Sequence, residues 1–278
     1  MKLLTELTDK MGQKNLPLTD AQRSAINEIS QNLQIIACAG SGKTEVITRR
    51  IARILREKVI RPKNVVAFTF TEKAAASMKA RIASALESDQ YAPPDLDEMF
   101  VGTIHSFCWN LLQTYSDKYT DFKILDTVKS HLFIERYSST CGMSDLGLVP
   151  SYHNRILFLD CISKMIDSYG AKNEWTETQI SVFDKYMDCL KEHHYLDFSM
   201  LIFEAIRQIK ESKPVQDYIR SVKYLIVDEY QDIDDVQEIL IRSFSSFGAN
   251  ICVVGDDDQT IYQFRGSNAE NMIQFANR

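Results

Sequence analysis

The sequence is short of the features that mark a specialised chain. Its six cysteines, Cys38, Cys108, Cys141, Cys161, Cys189 and Cys252, form no C-x-x-C pair and follow no regular spacing. A chain of 278 residues can bury its own core. The pattern therefore excludes a disulfide-stapled scaffold and implies six reduced thiols in a cytoplasmic protein. The five histidines show no metal-ligand spacing, so no His/Cys metal centre is expected. With 10 glycines, 6 prolines, 45% hydrophobic and 25% charged residues, the composition is that of an average globular protein and excludes collagen-like or disordered chains. The opening M-K-L-L-T-E-L-T-D-K has too short an apolar run for a signal peptide, and no run approaches a membrane span. Positive charge is also scarce: 32 Lys and Arg against 38 Asp and Glu leave a net charge of -6, which argues against a uniformly basic nucleic-acid binder.

That sum hides an asymmetry. Residues 1–110 carry 15 basic and 12 acidic side chains, 111–194 carry 9 and 12, and 195–278 carry 8 and 14. Between Lys43 and Arg81, 11 Lys and Arg are opposed only by Glu45, Glu57 and Glu72. On charge alone this island reads equally as solvated helix faces or as an anion-binding surface.

At about 150 residues per domain, the length makes one large domain or two ordinary ones. The first 16 residues read as a frayed or short helical leader, and L-T-D-A-Q-R opens a helix capped by Thr19 or Asp20. Leu33 to Ala37 is a short apolar strand that enters a Gly/Ser turn. A helix runs from Lys43 to about Lys58 with Ile47, Ile51, Ile54 and Leu55 on one face. Val65 to Phe70 and Phe100 to Thr103 are further strands, followed by helices over Lys73 to Leu86 and His105 to Tyr115, with a loop over Asp89 to Glu98. From about Tyr115 to His194, amphipathic helical stretches take over. The alternation resumes with a helix from Phe198 to Lys210, a strand Tyr224 to Val227, a helix Asp235 to Phe247 and a strand Asn250 to Val254. The fold class is α/β, a parallel-sheet core interrupted by an α-helical insertion.

Three loops at strand ends carry the chemistry. Ala37-Cys38-Ala39-Gly40-Ser41-Gly42-Lys43-Thr44 fits a phosphate-binding loop with Ala37 in the first Gly position. Small residues at Ala39, Gly40, Ser41 and Gly42 let backbone N–H groups close around a phosphate, Lys43 reaches the β/γ oxygens, and Thr44 completes a Mg2+ shell. The strand Tyr224 to Val227 ends in Asp228, suited to hold Mg2+, and Glu229, suited to polarise an attacking water. Gly255-Asp256-Asp257-Asp258-Gln259 follows the next strand, where Gln259 can hydrogen-bond the γ-phosphate without adding charge. Its aspartates read either as capping acids or as a separate metal site.

The order of these blocks resembles the amino-terminal half of superfamily 1 DNA helicases of the UvrD/Rep type. The blocks are L-T-D-A-Q-R, A-C-A-G-S-G-K-T, A-F-T-F-T-E-K-A-A-A-S-M-K-A-R-I, G-T-I-H-S-F-C, L-D-F-S-M-L, V-D-E-Y-Q-D-I and V-V-G-D-D-D-Q-T-I-Y-Q-F-R-G-S. The resemblance implies a RecA-like P-loop NTPase core over residues 1–112 and 195–278, with 113–194 as its inserted helical subdomain. It assigns Gln22 to the adenine edge, Gln259 and Arg265 to the γ-phosphate, and Thr69, Phe70, Thr103, His105, Ser106, Tyr262 and Phe264 to DNA. Aromatic side chains suit single strands because any base stacks on them, at ~1 to 3 kcal/mol each. On the residues alone, Phe70, Tyr262 and Phe264 read as core packing. Three positions depart from the family: Glu72 replaces the usual Asn, Glu45 a common basic residue, and Phe264 a frequent Trp. The L-D-F-S-M-L block lacks an acidic pair, so no role beyond fold carries over there.

The function this implies is the ATP- and Mg2+-binding half of a 3′ to 5′ DNA helicase that acts on single-stranded DNA and single-strand/duplex junctions in DNA repair. In this family a second RecA-like domain completes the ATP site, so the sequence ending at Arg278 reads as an expressed piece, a proteolytic fragment or a truncated gene, weakly active by itself. The alternative is an ATP-gated DNA-binding or interaction subunit of a nuclease or anti-phage defence assembly. The inserted helices, with a net charge of -3, are expected to contact duplex only weakly.

Overall fold

A computed structural model describes residues 17–38, 40–56, 60–88, 95–167, 175–256 and Phe275. The expected leader and most of the Asp89 to Glu98 loop lie outside the described residues. A central sheet is built from β1 (Leu33–Ile36), β2 (Val65–Phe68), β3 (Phe100–Gly102), β6 (Tyr224–Val227) and β7 (Asn250–Gly255), in the spatial order β1-β7-β6-β2-β3. All neighbours are parallel. Parallel strands covered on both faces must be apolar throughout, and β2 is buried at every residue. Its alternating side chains serve two cores. Val66 and Phe68 join Leu225, Val227 and Val253 on one face, while Val65 and Ala67 join Ile226, Cys252 and Val254 on the other.

The second core is closed by α2 (Lys43–Arg56) and α3 (Glu72–Ser88), with α1 (Asp20–Asn27) lying on α2. Ile47, Ile51, Ile54 and Leu55 form the buried stripe of α2, as their spacing requires. The first core is closed by α4 (Ile104–Tyr115), α8 (Phe198–Glu211), α9 (Lys213–Ser221) and α10 (Asp235–Ser246). Caps fix the helix starts: Thr19 forms a reciprocal capping box with Gln22, Thr103 caps α4, and Asp234 caps α10.

Between α4 and α8 lie α5 (Thr127–Tyr137), α6 (Tyr152–Asp167) and α7 (Glu177–Glu192). The reading of this stretch as purely helical needs one correction. Lys123–Leu125 is a strand, β4, which pairs in parallel with β5 (Tyr195–Asp197) and ties the entry of the insertion to its exit. Three residues are too few to reveal a period of two. Asp197 gives the L-D-F-S-M-L block a structural role: its buried carboxylate caps α8 by accepting from Met200 N–H at 2.7 Å and accepts the Tyr186 hydroxyl of α7. Among the described residues, no helix is long and apolar enough to cross a membrane.

Candidate functional site

The parallel register brings the carboxyl ends of β1, β7, β6 and β2 to one edge of the sheet, with Ile36 beside Gly255, and Val227 between Phe68 and Val253. Such an edge is where open parallel sheets bind ligands. The loop after β1 turns at Gly40 (φ 75°) and Gly42 (φ 88°), conformations that side chains rarely adopt. A Cβ on Gly42 would stand 3.2 Å from Gln22 Nε2, and that nitrogen donates to Ser41 O at 2.9 Å. Gln22 therefore meets the loop itself, while its Oε1 accepts from Thr19 N–H at 2.8 Å.

Lys43 opens α2 with its side chain only 10% exposed, and its ammonium lies 3.5 Å from Glu229 Oε2. Asp228 follows β6 directly, its N–H donating to Phe68 O at 3.0 Å. Burial, and then the neighbouring Glu229 charge, push Asp228 up to about 6, with Lys43 opposing. Asp232 is raised to about 6 for the same two reasons. Three carboxylates thus crowd one ammonium, and Thr44 lines the same cleft of about 420 Å³ as Asp228, Glu229 and Asp232. A hard divalent cation that also takes phosphate oxygens fits the Thr44 hydroxyl and the Asp228 carboxylate, because it would offset the burial and the Glu229 repulsion that raise Asp228.

Glu229 occupies the left-handed region (φ 52°, ψ 46°). Its N–H donates to Asp228 Oδ1 at 3.0 Å, and Gln231 Nε2 donates to its Oε2 at 2.9 Å. The Gln231 Oε1 accepts from the buried Asp256 N–H at 3.0 Å, so one amide joins the loops after β6 and β7. Sequence reasoning missed Gln231. Its signal was its place in the V-D-E-Y-Q-D-I block, two residues beyond Glu229. Gln259, Arg265, Tyr262, Phe264 and Ala39 lie outside the described residues.

A second cleft of about 310 Å³ opens beside the first, lined by Phe68, Thr69, Phe70, Thr103 and His105 and sharing Asp228, Glu229 and Asp232 with it. Phe70 is 47% exposed at the mouth, not packed in the core. His105 stacks edge-on against Phe198, with ring centroids 5.6 Å apart, and burial lowers its pKa. The hydroxyls expected to meet DNA are engaged within the chain. Thr69 is buried and donates to Thr71 O at 3.0 Å. Thr103 donates to Glu72 Oε1 at 2.9 Å while accepting from Ser106 N–H, and the Ser106 hydroxyl donates to Thr103 O. Glu72, one of the three departures from the family pattern, is thus bonded to a residue that lines this cleft.

The family model described as UvrD/REP helicase N-terminal domain matches residues 18–278. An ATP-dependent DNA helicase PcrA of Bacillus subtilis is 33% identical over 270 residues, 93% of this chain and 35% of that protein. PcrA of Staphylococcus aureus strain Mu50 is 33% identical over 266 residues, 91% of this chain and 35% of that protein. PcrA of Staphylococcus epidermidis is 30% identical over 270 residues, with 93% and 36% covered. The chain spans about a third of the length of these relatives.

Proposed function

The chain belongs to the UvrD/REP helicase N-terminal domain family, and from that premise we propose that it is the ATP-binding part of an ATP-dependent DNA helicase that moves 3′ to 5′ on single-stranded DNA. The observation that carries this reading is the meeting of Lys43, Thr44, Asp228 and Glu229 at one sheet edge. The phosphate loop and the α2 amino terminus hold the β- and γ-phosphates with N–H groups, and Lys43 neutralises their charge. Thr44 and Asp228 would hold Mg2+, which when bound would neutralise charge on the phosphate oxygens. Glu229 accepts the proton of the attacking water, with Gln231 fixing its carboxylate. A primary amide has two donors and two lone pairs. Gln22 spends one of each on Ser41 and Thr19 and turns the others to the adenine edge.

Residues 1–112 and 195–278 act as the core and 113–194 as its insertion in this reading. Phe70 offers an exposed ring for base stacking, with Thr103, His105 and Ser106 along the strand's path and Thr69 shaping the turn beneath. Because Asp228, Glu229 and Asp232 border both clefts, a change in phosphate occupancy alters the charge that the DNA cleft faces. Titration of the chain with Mg2+ATP tests the assignment. Lys43→Ala is expected to weaken binding by about 100-fold, the scale of losing one preorganised electrostatic partner, and unchanged affinity would overturn the reading.

A further inference from the structure

Helix α1 carries Gln22, yet it has eight residues and buries one side chain, Ile26. A helix so short does not hold itself in place. At its start Gln22 grips Ser41 O. At its end the partner is Arg50, in the middle of α2 and completely buried. Arg50 Nη1 donates to Ala25 O at 2.8 Å and also to Glu28 O. A third contact, from Tyr224 hydroxyl to Ile29 O at 3.0 Å, holds the chain just beyond the helix.

A buried guanidinium demands compensation, and the carbonyls at a helix carboxyl end, the negative pole of its dipole, provide it. On its other side Arg50 meets Cys252 of β7, whose thiol burial pushes up to about 11 while the Arg50 charge opposes that rise. Arg50 thus sits in a slot between the sheet and α1, where its Nη1 has the Ala25 and Glu28 carbonyls as acceptors only when α1 is docked. It stands two turns along the same rigid helix that begins with Lys43.

We propose that Arg50 is a positioning residue for base selection: by clamping the end of α1 to the phosphate-loop helix, it fixes Gln22 relative to Lys43 and so favours adenine over guanine. The proposal rests on Gln22 as the adenine ligand. Guanine presents an acceptor where adenine presents an amino group, so a correctly held Gln22 carbonyl penalises it.

The test measures binding of Mg2+ATP, Mg2+GTP and inorganic tripolyphosphate to Gln22→Ala, Arg50→Met and Arg50→Lys. Gln22→Ala and Arg50→Met are each expected to lower the ATP-over-GTP preference by about five- to tenfold, the effect of one neutral hydrogen bond. Tripolyphosphate, which has no base, should bind Arg50→Met as it binds the parent. Arg50→Lys retains charge but only part of the fork and should fall between the parent and Arg50→Met; it also carries the test if Arg50→Met does not fold. If the Arg50 variants weaken all three ligands alike, or keep the preference that Gln22→Ala loses, Arg50 only supports the fold and the proposal is overturned with the Gln22 reading intact. If Gln22→Ala leaves the preference unchanged, the Gln22 reading fails and the Arg50 proposal fails with it.

Discussion

Two regions bury acids in opposite ways. At the end of β6, Glu229 lies 3.5 Å from the Lys43 ammonium, whose charge also reaches Asp228 and Asp232, yet both of these are raised to about 6. On α8, Glu204 is fully buried but surrounded. It pairs with Lys191 at 2.8 Å and Arg207 at 2.6 Å and accepts the Tyr119 hydroxyl. Burial pushes Glu204 up, yet Lys191, Tyr119 and Arg207 outweigh it and hold the group below the usual range. An acid whose protein partners are complete is structural. An acid cluster that, among the described residues, is short of positive charge is prepared for a further charge, and perturbed groups of that kind gather at functional sites.

The largest effect should come from the crowded cluster. Glu229→Gln removes the proposed base while keeping the shape and the Gln231 contact. ATP turnover should fall by about 10² to 10⁴, the range for general bases, with Mg2+ATP binding retained. An unchanged single-turnover rate would remove Glu229 from the mechanism. Next comes the satisfied site. Glu204→Gln leaves Lys191 and Arg207 without their acid, and denaturant unfolding should show a loss of about 3 kcal/mol. A loss under 1 kcal/mol would mean that the pairing contributes little.

The pH dependence should separate the two regions by sign. Asp228 and Asp232 have folded values above the unfolded aspartate value of about 3.9. The folded chain holds their protons more tightly, so their contribution to stability grows as pH falls from about 6 to 4 and is unfavourable at pH 7. Glu204 is shifted down, so its contribution is complete above the unfolded glutamate value and lost as pH falls through the lowered one. Melting curves of the parent chain should therefore rise from pH 7 to 5 and drop below about pH 4. Glu204→Gln should remove part of the drop only. The smallest effect concerns Glu72, which carries its charge beside Thr103 in the second cleft. Glu72→Gln should raise single-stranded DNA affinity about fivefold at low salt, with the gain vanishing as salt screens the charge. No gain at low salt would place the strand elsewhere.

The sheet and the gathering of Lys43, Thr44, Asp228 and Glu229 at its edge were legible because both depend on local chemistry. β6 begins and ends at Tyr224 and Val227 as expected, and Lys43, Asp228 and Glu229 each follow a recognisable apolar strand. What escaped depends on pairing across long stretches. β4 has three residues and exists because Tyr195–Asp197 lies beside it. The α9 helix, with Pro214 in its first turn, follows α8 after the single residue Ser212 and merges into its pattern. Glu204 looks like any solvated helix acid until Lys191 and Tyr119 are brought to it. Thr69 and Thr103 have the expected positions, but only the folded contacts reveal that their hydroxyls have internal acceptors.

The left-handed backbone of Glu229 sets selection for durability against selection for work. A carboxylate side chain is held where glycine is at ease, a strain of about 1 kcal/mol or more. A search that rewarded heat resistance alone would replace Glu229 by glycine or asparagine and gain a sturdier, idle domain. The residue stays glutamate only while something downstream depends on the water it is proposed to activate, so among variants of this fold, that one position should distinguish the retired from the working.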